Sequence, residues 1–197
     1  MRVDRDALPF AGAFAILAAI AALLSPWAAA VPVLLLAFTL WFFRDPERRS
    51  PGDPGAILSP ADGRIIVAGP RRISVFMNVL SVHVCRTPVA GKVVSVRHVP
   101  GRFVAAFADA ASEHNERTAI EVDPGGSPPV RFTLVAGLIA RRIVCRVEPG
   151  RVLAAGERIG LIRFGSRVDM DLPEGSTASV EVGDRVVAGE TVIARRG

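Results

Sequence analysis

The chain has 197 residues, a formal net charge of +5 and 50% hydrophobic residues, and its mean hydropathy of +0.38 is high for a soluble domain. This length allows one domain with an appendage. The positive charge comes almost wholly from arginine, because Lys92 is the only lysine. A basic surface is typical of proteins that bind nucleic acid or anionic lipid. The sequence has no RNA-binding aromatic signature and no helix-turn-helix pattern, which disfavours nucleic acid and indicates an anionic membrane.

Residues 1–43 are predicted to form a membrane-associating helical hairpin. Residues 11–24 are an uninterrupted apolar run, Ser25-Pro26 breaks it, and residues 28–43 form a second run. As helices these runs are only about 21–24 Å long, short of the roughly 30 Å hydrocarbon core of a bilayer. Two short helices in a shallow or re-entrant hairpin therefore fit better than one spanning helix.

Arginines flank both apolar runs: Arg2, Arg5, Arg44, Arg48 and Arg49. Positive residues stay on the cytoplasmic side of a membrane. We therefore expect both ends of the hairpin at the cytoplasmic face of the cell membrane, with the protein peripheral or shallowly inserted. The alternative is a secretory signal peptide, because Ala28-Ala29-Ala30 resembles a cleavage site. The balanced charge of the first six residues and the second apolar run argue against it.

The remainder of the chain is predicted to be mainly β, with few short helices. Residues 44–55 are rich in charge, proline and glycine and are predicted to be a linker. Residues 56–197 form the predicted β domain. Its predicted strands share β-branched residues bounded by glycine or proline: residues 64–67, 73–76, 81–85, 92–99, 118–122, 130–135, 139–147, 160–164 and 168–172. Residues 103–111 are predicted to be a short helix and residues 123–129 a loop.

One internal repeat indicates the type of β domain. Residues 148–157 match residues 181–190, with glutamate, glycine and alanine in register. Each copy is predicted as a turn, a short strand and another turn. Paired units of this kind resemble the barrel-sandwich of lipoyl and biotinyl carrier domains, so the fold is predicted to be barrel-sandwich-like. Such carriers attach their cofactor to a lysine, and neither copy contains one.

Gly165-Ser166 interrupts a predicted β path. A glycine inside a strand pattern marks a bulge or a bend. Such a bend presents the Gly165 carbonyl to the Ser166 hydroxyl, which can attack its own peptide bond. The peptide would become an ester, and β-elimination would then cut the chain. The dehydroalanine left at the new N-terminus would hydrolyse to a pyruvoyl group.

Five segments together resemble one enzyme family, the short bacterial and archaeal type of phosphatidylserine decarboxylase. They occur in the family's order: Phe42-Phe43-Arg44-Asp45-Pro46-Glu47-Arg48, Ser59-Pro60-Ala61-Asp62-Gly63, Val82-His83-Val84-Cys85-Arg86-Thr87-Pro88-Val89-Ala90-Gly91, Ala111-Ser112-Glu113-His114-Asn115-Glu116-Arg117-Thr118 and Phe164-Gly165-Ser166-Arg167-Val168-Asp169. The resemblance covers nearly the whole chain from Phe42 onward.

This resemblance implies a pyruvoyl-dependent decarboxylation of phosphatidylserine to phosphatidylethanolamine and carbon dioxide. Decarboxylating an amino acid leaves a carbanion that needs an electron sink. A pyruvoyl group derived from Ser166 would be that sink, because its ketone condenses with the substrate amine. The rival hypothesis is a non-enzymatic, membrane-anchored barrel-sandwich module for binding or scaffolding.

The resemblance also assigns roles to Asp62 and His83. Asp62 matches the family's acidic active-site position and would orient and charge His83. His83 would act as general base for Ser166 and later as general acid to the carbanion. The alternatives are an ordinary Asp-Gly turn for Asp62 and a half-buried strand histidine for His83. The latter is predicted in mid-strand, with Ser81 and Cys85 on one face.

Further polar residues are candidates for the substrate. Arg86 and Arg167 would bind its phosphate or carboxylate, since arginine forks such groups bidentately. Asn115 and Glu116 would shape the headgroup pocket. The alternative for both arginines is a surface charge on a basic protein.

The remaining candidates indicate neither a metal site nor a disulfide. The three histidines lack ligand spacing, so no metal site is expected. Cys85 and Cys145 are predicted to be reduced, buried small hydrophobic residues. The mature protein is expected to be a heterodimer of fragments 1–165 and 166–197, with homo-oligomerisation left open.

Overall fold

The computed structural model describes residues 2–101, 115–137, 142–163 and 166–197. The chain divides into two compact units, Met1–Glu47 and Arg48–Gly197. Several predictions lie outside the described residues: the helix at 103–111, His114, residues 139–141 of one strand, and Phe164 with Gly165.

The first unit is a helical hairpin, as predicted. A 3₁₀ turn at Arg5–Ala7 leads into α1 (Leu8–Leu24), and α2 (Ala30–Phe42) follows after a short connection. The two ends of the hairpin are joined by β1 (Arg2–Val3) and β2 (Arg44–Asp45), which pair antiparallel. Both ends of the hairpin therefore lie together, as the flanking arginines indicated.

The first helix is longer than predicted. The Asp4 side chain accepts a hydrogen bond from the Asp6 amide at 3.0 Å, and a proline lies in the first turn of α1, so the helical path starts before the apolar run. The helical stretch Arg5–Leu24 has 20 residues and a mean hydropathy of 2.3, long and apolar enough to cross a membrane. The predicted shortfall against the bilayer core is therefore wrong for this helix.

Among the described residues of the second unit the regular secondary structure is all strand, which confirms the mainly β prediction. The strands are β3 (Ala56–Leu58), β4 (Gly63–Ala68), β5 (Arg72–Met77), β6 (Val84–Arg86), β7 (Gly91–Val99), β8 (Arg117–Asp123), β9 (Val130–Ala136), β10 (Ile143–Cys145), β11 (Val152–Leu153), β12 (Arg158–Ile162), β13 (Ser166–Asp171), β14 (Thr177–Ala178), β15 (Arg185–Val186) and β16 (Val192–Arg195).

The described strands of this unit form three sheets, in which all the pairings are antiparallel. The largest has the order β11-β7-β8-β9-β13-β5-β4-β15, and the smaller two are β10-β12-β6 and β14-β16-β3. Within the described residues no pairing joins β11 to β15, so the large sheet stays open rather than closing into a barrel. The strand β13 lies in the middle of this sheet, between β9 and β5.

Alternation of side chains along the strands places the core on one face of the large sheet. In β9, Phe132 and Leu134 are fully buried, and in β13, Val168 and Met170 belong to the same apolar cluster. Ser166 shares the face of Val168 because it lies two residues before it. Arg167 and Asp169 point to the opposite face of β13 and are nevertheless buried.

The two repeat copies pack against two further turns, and the four segments together have a pseudo-twofold arrangement. We call Ser59-Pro60-Ala61-Asp62-Gly63 turn A and Thr87-Pro88-Val89-Ala90-Gly91 turn B. The amide before turn A donates to the Pro88 carbonyl at 2.9 Å, and the amide before turn B donates to the Pro60 carbonyl at 2.9 Å. Each turn thus hydrogen-bonds the other in the same way.

The two repeat copies bind these turns equivalently. The Gly189 amide donates to the Ser59 carbonyl at 2.8 Å, and the Gly156 amide donates to the Thr87 carbonyl at 3.0 Å. Gly156 and Gly189 have φ of 75° and 72°, and a Cβ on Gly156 would lie 3.1 Å from the Gly189 carbonyl oxygen. The copies therefore meet at two glycines that need both the left-handed conformation and the close approach.

Candidate active site

Ser166 is the first residue of the central strand β13 and is fully buried. It pairs with Met77 of β5 on one side and with Ala136 of β9 on the other. Its hydroxyl donates to the Met77 sulfur at 3.2 Å. A thioether is a weak acceptor, so this contact holds the hydroxyl in place without a strong bond. The Ser166 side chain lies where β5 and β9 end and β13 begins.

Asp62 lies at this same end of the sheet. Arg64 pairs with Phe76, which places Gly63 beside Met77, and Met77 pairs with Ser166. Since β4 and β13 flank β5 at strand spacings of about 4.8 Å, the backbone of Gly63 lies about 10 Å from that of Ser166 across the sheet, and Asp62 immediately precedes Gly63. The topology therefore brings the predicted acidic residue close to the predicted nucleophile.

The Asp62 carboxylate is held by two hydrogen bonds. Its Oδ1 accepts from the Ala188 amide at 2.8 Å, and its Oδ2 forms an ion pair with Arg48 Nη2 at 2.8 Å. Both charged side chains are largely buried, so this charge-assisted pair is only weakly screened by solvent. Arg48 also approaches Glu190 at 3.5 Å.

Arg48 was missed as a site residue by the sequence interpretation. It was assigned only to a linker and to the membrane-flanking charges. A signal was available, because Arg48 ends the first of the five segments that resemble the enzyme family. Its guanidinium lies within ion-pair distance of the Asp62 carboxylate and compensates its charge.

His83 lies in a connection and not in mid-strand as predicted. The strand β6 begins one residue later, at Val84. The reason is local: Asn78 accepts hydrogen bonds from the Leu80 amide at 2.9 Å and the Ser81 hydroxyl at 3.3 Å. This Asx-type turn uses the backbone that a strand ladder would need. The expected alternation of Ser81 and Cys85 on one strand face is therefore wrong.

The hydrogen bonds of His83 fix its tautomer. Its Nδ1 lies 2.9 Å from the Ser81 carbonyl oxygen. A carbonyl only accepts, so Nδ1 carries the proton and Nε2 is the basic nitrogen of the neutral ring. A backbone carbonyl thus orients the imidazole, a task that the sequence analysis gave to Asp62.

His83 is close to the start of β13. Its carbonyl accepts a hydrogen bond from the Ile162 amide at 3.3 Å, and Ile162 precedes Ser166 by four residues. Four residues span at most about 14 Å even when fully extended. On the other side, His83 follows Met77, the partner of Ser166, by six residues. Short stretches of chain therefore link His83 both to Ser166 and to its strand partner.

Asn115 and Glu116 adjoin Ser166 through Ala136. The buried Asn115 side chain donates from Nδ2 to the Ala136 carbonyl at 2.7 Å, and the Ala136 amide donates to the Glu116 carbonyl at 2.9 Å. The Glu116 carboxylate lies 4.0 Å from Nε2 of His98. Asn115 is thus fixed one strand away from Ser166.

Arg86 and Arg167 are both buried rather than being surface charges. Arg86 Nη1 donates to the Gly156 carbonyl at 2.9 Å, at the junction of the repeat copies. Arg167 Nε donates to Asp169 Oδ1 at 2.5 Å, and that oxygen also accepts from the Ser74 hydroxyl at 2.6 Å. Arg167 points to the opposite face of β13 from Ser166. Their roles toward substrate stay predictions.

The two cysteines differ in burial, and Cys145 is less buried than predicted. Cys85 is buried and Cys145 is half-buried, and both are free thiols. Both pair with Gly160 from opposite sides, so their backbones lie about 10 Å apart, too far for a disulfide. Burial, followed by the nearby charge of Asp62, raises the pKa of Cys85. Burial also raises the pKa of Cys145.

Within the described ranges, no group of three or more His, Cys, Asp or Glu side chains is arranged to hold a metal ion. The residues instead include a buried serine, a histidine whose Nδ1 is held by a carbonyl, and an aspartate paired with an arginine, near one end of the large sheet. These are the components of serine activation, in which a base accepts the hydroxyl proton and a carboxylate stabilises the charged base.

Comparison with known proteins identifies the class. The sequence model of a family described as phosphatidylserine decarboxylase matches residues 35–72 and 67–194. The chain belongs to the phosphatidylserine decarboxylase family, and the expectation of an enzyme of the lyase class is confirmed. The non-enzymatic scaffold is not favoured.

Individual relatives cover nearly the whole chain. A protein of Chlorobium chlorochromatii is 49% identical over 179 residues, 86% of this chain and 84% of its own length. One of Desulfotalea psychrophila is 47% identical, covering 97% of this chain and 95% of that protein. One of Nitrosomonas europaea is 46% identical, covering 98% and 94%. Each is named phosphatidylserine decarboxylase proenzyme, which describes enzymes made in a precursor form.

Proposed function

We propose that this chain is made as a proenzyme, cuts itself between Gly165 and Ser166, and decarboxylates phosphatidylserine to phosphatidylethanolamine. The observation that supports this most is the position of Ser166. It is buried at the start of the central strand, beside the connection that carries His83 and at the sheet end that carries Asp62. A buried, inward-facing serine at a strand start has no packing advantage over alanine or valine.

His83 is the base that this proposal requires. Its Nδ1 is engaged by the Ser81 carbonyl, so Nε2 accepts the hydroxyl proton of Ser166. The hydroxyl leaves only a weak acceptor, the Met77 sulfur, when it rotates toward the base. Breaking that contact costs little, and transfer of the proton to His83 produces an imidazolium.

The self-cleavage balances without an outside oxidant or reductant. The Ser166 oxygen bonds to the Gly165 carbonyl carbon, the peptide C–N bond breaks, and the nitrogen receives a proton. Removal of the Ser166 α-proton then expels the Gly165 carboxylate and leaves dehydroalanine. Water hydrolyses this group, releases ammonia and leaves a pyruvoyl group at the N-terminus of fragment 166–197. The mature protein would be a heterodimer of this fragment and fragment 1–165.

The residues around Ser166 fit such a group. When formed, the pyruvoyl group would supply an electron sink for the carbon that loses carbon dioxide. His83 then holds the proton that is delivered to that carbon. Burial of Ser166 keeps bulk solvent away from this carbon. A positioned acid of the chain is therefore the expected proton donor.

Asp62 stabilises the charged form of His83 in this proposal. Its carboxylate is held by Arg48 and by the Ala188 amide, so its position is rigid. A fixed negative charge on this side of the site would lower the free energy of forming the imidazolium. Asp62 acts through His83 and does not touch the serine in this scheme.

Among the substrate candidates, Asn115 has the most support. Its amide is fixed on the carbonyl of Ala136, the strand partner of Ser166. We propose that Asn115 and Glu116 border the headgroup. Arg86 and Arg167 already engage Gly156 and Asp169, so they require a rearrangement to bind a phosphate or carboxylate.

The test compares Ser166→Ala with Ser95→Ala. Ser95 is a half-buried serine on β7 that bonds Glu121, so it controls for loss of a sheet serine. Ser166→Ala should remain one uncut chain on a denaturing gel and release no carbon dioxide from phosphatidylserine. Ser95→Ala should be cut and active. An active, uncut Ser166→Ala protein would overturn the proposal.

We further propose that the hairpin attaches the protein to the cytoplasmic face of an anionic membrane. Its support is the apolar helix Arg5–Leu24 and the pairing of both hairpin ends, which carry Arg2 and Arg44. Deleting residues 1–43 should release the chain from sedimented membranes while self-cleavage continues. A truncated protein that still sediments with membranes in high salt would place the anchor elsewhere.

A further inference from the structure

The connection between β5 and β6 exposes two adjacent aliphatic side chains. We call Val79 and Leu80 the apolar tip. Val79 is 38% exposed and Leu80 is 67% exposed. The other large exposed hydrophobic residues among the described part of the second unit, Val94, Val152 and Val182, stand singly along the sequence. Isolated exposed residues need no explanation, whereas an adjacent pair beside a candidate active site does.

The apolar tip is presented by a fixed turn. Asn78 accepts from the Leu80 amide at 2.9 Å and from the Ser81 hydroxyl at 3.3 Å, and its carbonyl accepts from the Ser81 amide at 3.0 Å. These bonds satisfy the backbone of the turn locally. The two side chains therefore point outward as a consequence of the turn geometry and not of a loose loop.

The apolar tip lies between two elements of the candidate site. Met77, the strand partner of Ser166, immediately precedes the turn, and His83 ends it. The tip is thus at the same end of the large sheet as Ser166. Any surface that contacts the tip also faces this end of the sheet.

Two arginines adjoin the same end. The Arg163 amide donates to the Arg142 carbonyl at 3.2 Å, and the neighbouring Ile162 amide donates to the His83 carbonyl at 3.3 Å. Arg142 is exposed and Arg163 is half-buried. An apolar tip with arginines beside it is complementary to a bilayer surface, whose acyl chains lie just below anionic headgroups.

We propose that the apolar tip inserts into the acyl boundary of a phosphatidylserine-containing bilayer, with Arg142 and Arg163 facing the headgroup layer. This rests on the proposed function, since it concerns how the same site reaches its substrate. The bond to be broken lies in the headgroup, at the depth of the interface. A tip seated just below that depth brings the Ser166 end of the sheet to the lipid, so the lipid need not leave the bilayer.

The test uses two substrates and the full chain. One is phosphatidylserine in vesicles, and the other is a short-chain phosphatidylserine dissolved as monomers. The variants are Leu80→Asp, Leu80→Ile as the conservative change, and Val152→Asp as the matched control. Val152 pairs with Lys92, which pairs with Asp123, so it lies at the opposite end of the sheet from Ser166.

Leu80→Asp should lower kcat/KM on vesicles about tenfold or more. Inserting a leucine into the acyl boundary is favourable, whereas inserting a charged aspartate there is unfavourable. Its kcat/KM on the monomeric substrate and its self-cleavage should stay within about twofold of wild type. Leu80→Ile and Val152→Asp should resemble wild type on both substrates.

Two results would overturn the apolar tip as a membrane contact. One is an equal loss on both substrates, which would mean that the tip serves the chemistry or the fold of the site. The other is no loss on vesicles. If the wild-type protein decarboxylates neither substrate, the proposed function fails, and this proposal fails with it.

Discussion

Turn A and turn B have the same backbone arrangement but different chemistry. Each hydrogen-bonds the other before its proline, and each is bound by one repeat copy through a glycine amide. In both, the first side-chain hydroxyl donates to the carbonyl two residues on, at 2.7 Å in turn A and 2.8 Å in turn B. The scaffold is therefore duplicated down to individual hydrogen bonds.

The site residues break this symmetry. Turn A carries Asp62 where turn B carries the exposed Ala90. His83 precedes turn B by four residues, and the matching position before turn A is Gly55. The Arg196 amide donates to the Gly55 carbonyl at 2.9 Å, as the Ile162 amide does to His83. His83 and Asp62 thus come from opposite halves of the pseudo-twofold arrangement. The residues at their symmetry-related positions, Gly55 and Ala90, carry no ionisable group.

The duplicated fold supplies two equivalent sets of positions, and a few residue differences between them supply the proposed function. Turn A and turn B have the same backbone arrangement, but only turn A carries a carboxylate, Asp62, whose charge is compensated by Arg48. The mirror positions are therefore natural controls, since they present the same local geometry without the proposed chemistry.

The largest effect should come from His83→Ala. Loss of the base should slow formation of the two fragments about 10²–10⁴-fold, because removing a general base typically has that cost. Adding Gly55→His to this variant should not restore cutting, since Gly55 does not adjoin Ser166. The measurement is a time course of fragment formation on a denaturing gel.

A different outcome would reassign His83. If His83→Ala is cut at the normal rate but cannot decarboxylate, His83 is only the proton donor of the later step. If it both cuts and turns over normally, the histidine is structural, and the asymmetry between the two halves has no catalytic meaning.

A smaller effect is expected for Asp62→Asn. The amide keeps an acceptor for the Ala188 N–H but leaves Arg48 with only the more distant Glu190 carboxylate as its counter-charge. A hydrogen bond to a charged group contributes about 1.5–3 kcal/mol, so fragment formation should slow about 10- to 100-fold. The mirror variant Ala90→Asp places a carboxylate on an exposed position of turn B and should cut normally. Equal slowing by both variants would show that the turns matter only for folding.

The smallest effect concerns Cys85, whose mirror residue is Ile57. Burial raises the pKa of Cys85 above its ordinary value of 9.0. The folded state therefore holds this proton at pH values where the unfolded state has lost it, so the contribution to stability is complete below pH 9 and declines above it. Cys85→Val should weaken the loss of stability between pH 8 and pH 10, measured by urea unfolding. An unchanged decline would assign the alkaline sensitivity to other groups.

Much of the strand content of the second unit could be predicted from local sequence patterns. For five strands the predicted first and last residues agree with the structure to within one residue: β4, β5, β7, β8 and β9. Each of these strands has β-branched residues bounded by glycine or proline. The repeat likewise predicted paired turns. Its partner turns, Ser59–Gly63 and Thr87–Gly91, were not recognised as a repeat, since they share only a hydroxyl residue, proline and glycine.

The site was harder to obtain from sequence because its geometry is non-local. Asp62, His83 and Ser166 were named from motifs, but only the pairing of β4, β5 and β13 brings them to one sheet end. Asn78 redirected the chain before His83, which the β-branched pattern could not show. Arg48 was missed because its role depends on an ion pair to a residue in another segment.

The central claim is that Ser166 becomes the catalytic group, and the mass of the smaller fragment tests it most directly. Purified wild-type protein should yield a fragment beginning at position 166 whose mass is lower, by one ammonia, than that of the same fragment with an N-terminal serine. Its N-terminus should also be blocked to sequencing. A fragment with an ordinary serine N-terminus, or a fully active chain that remains uncut, would contradict the account.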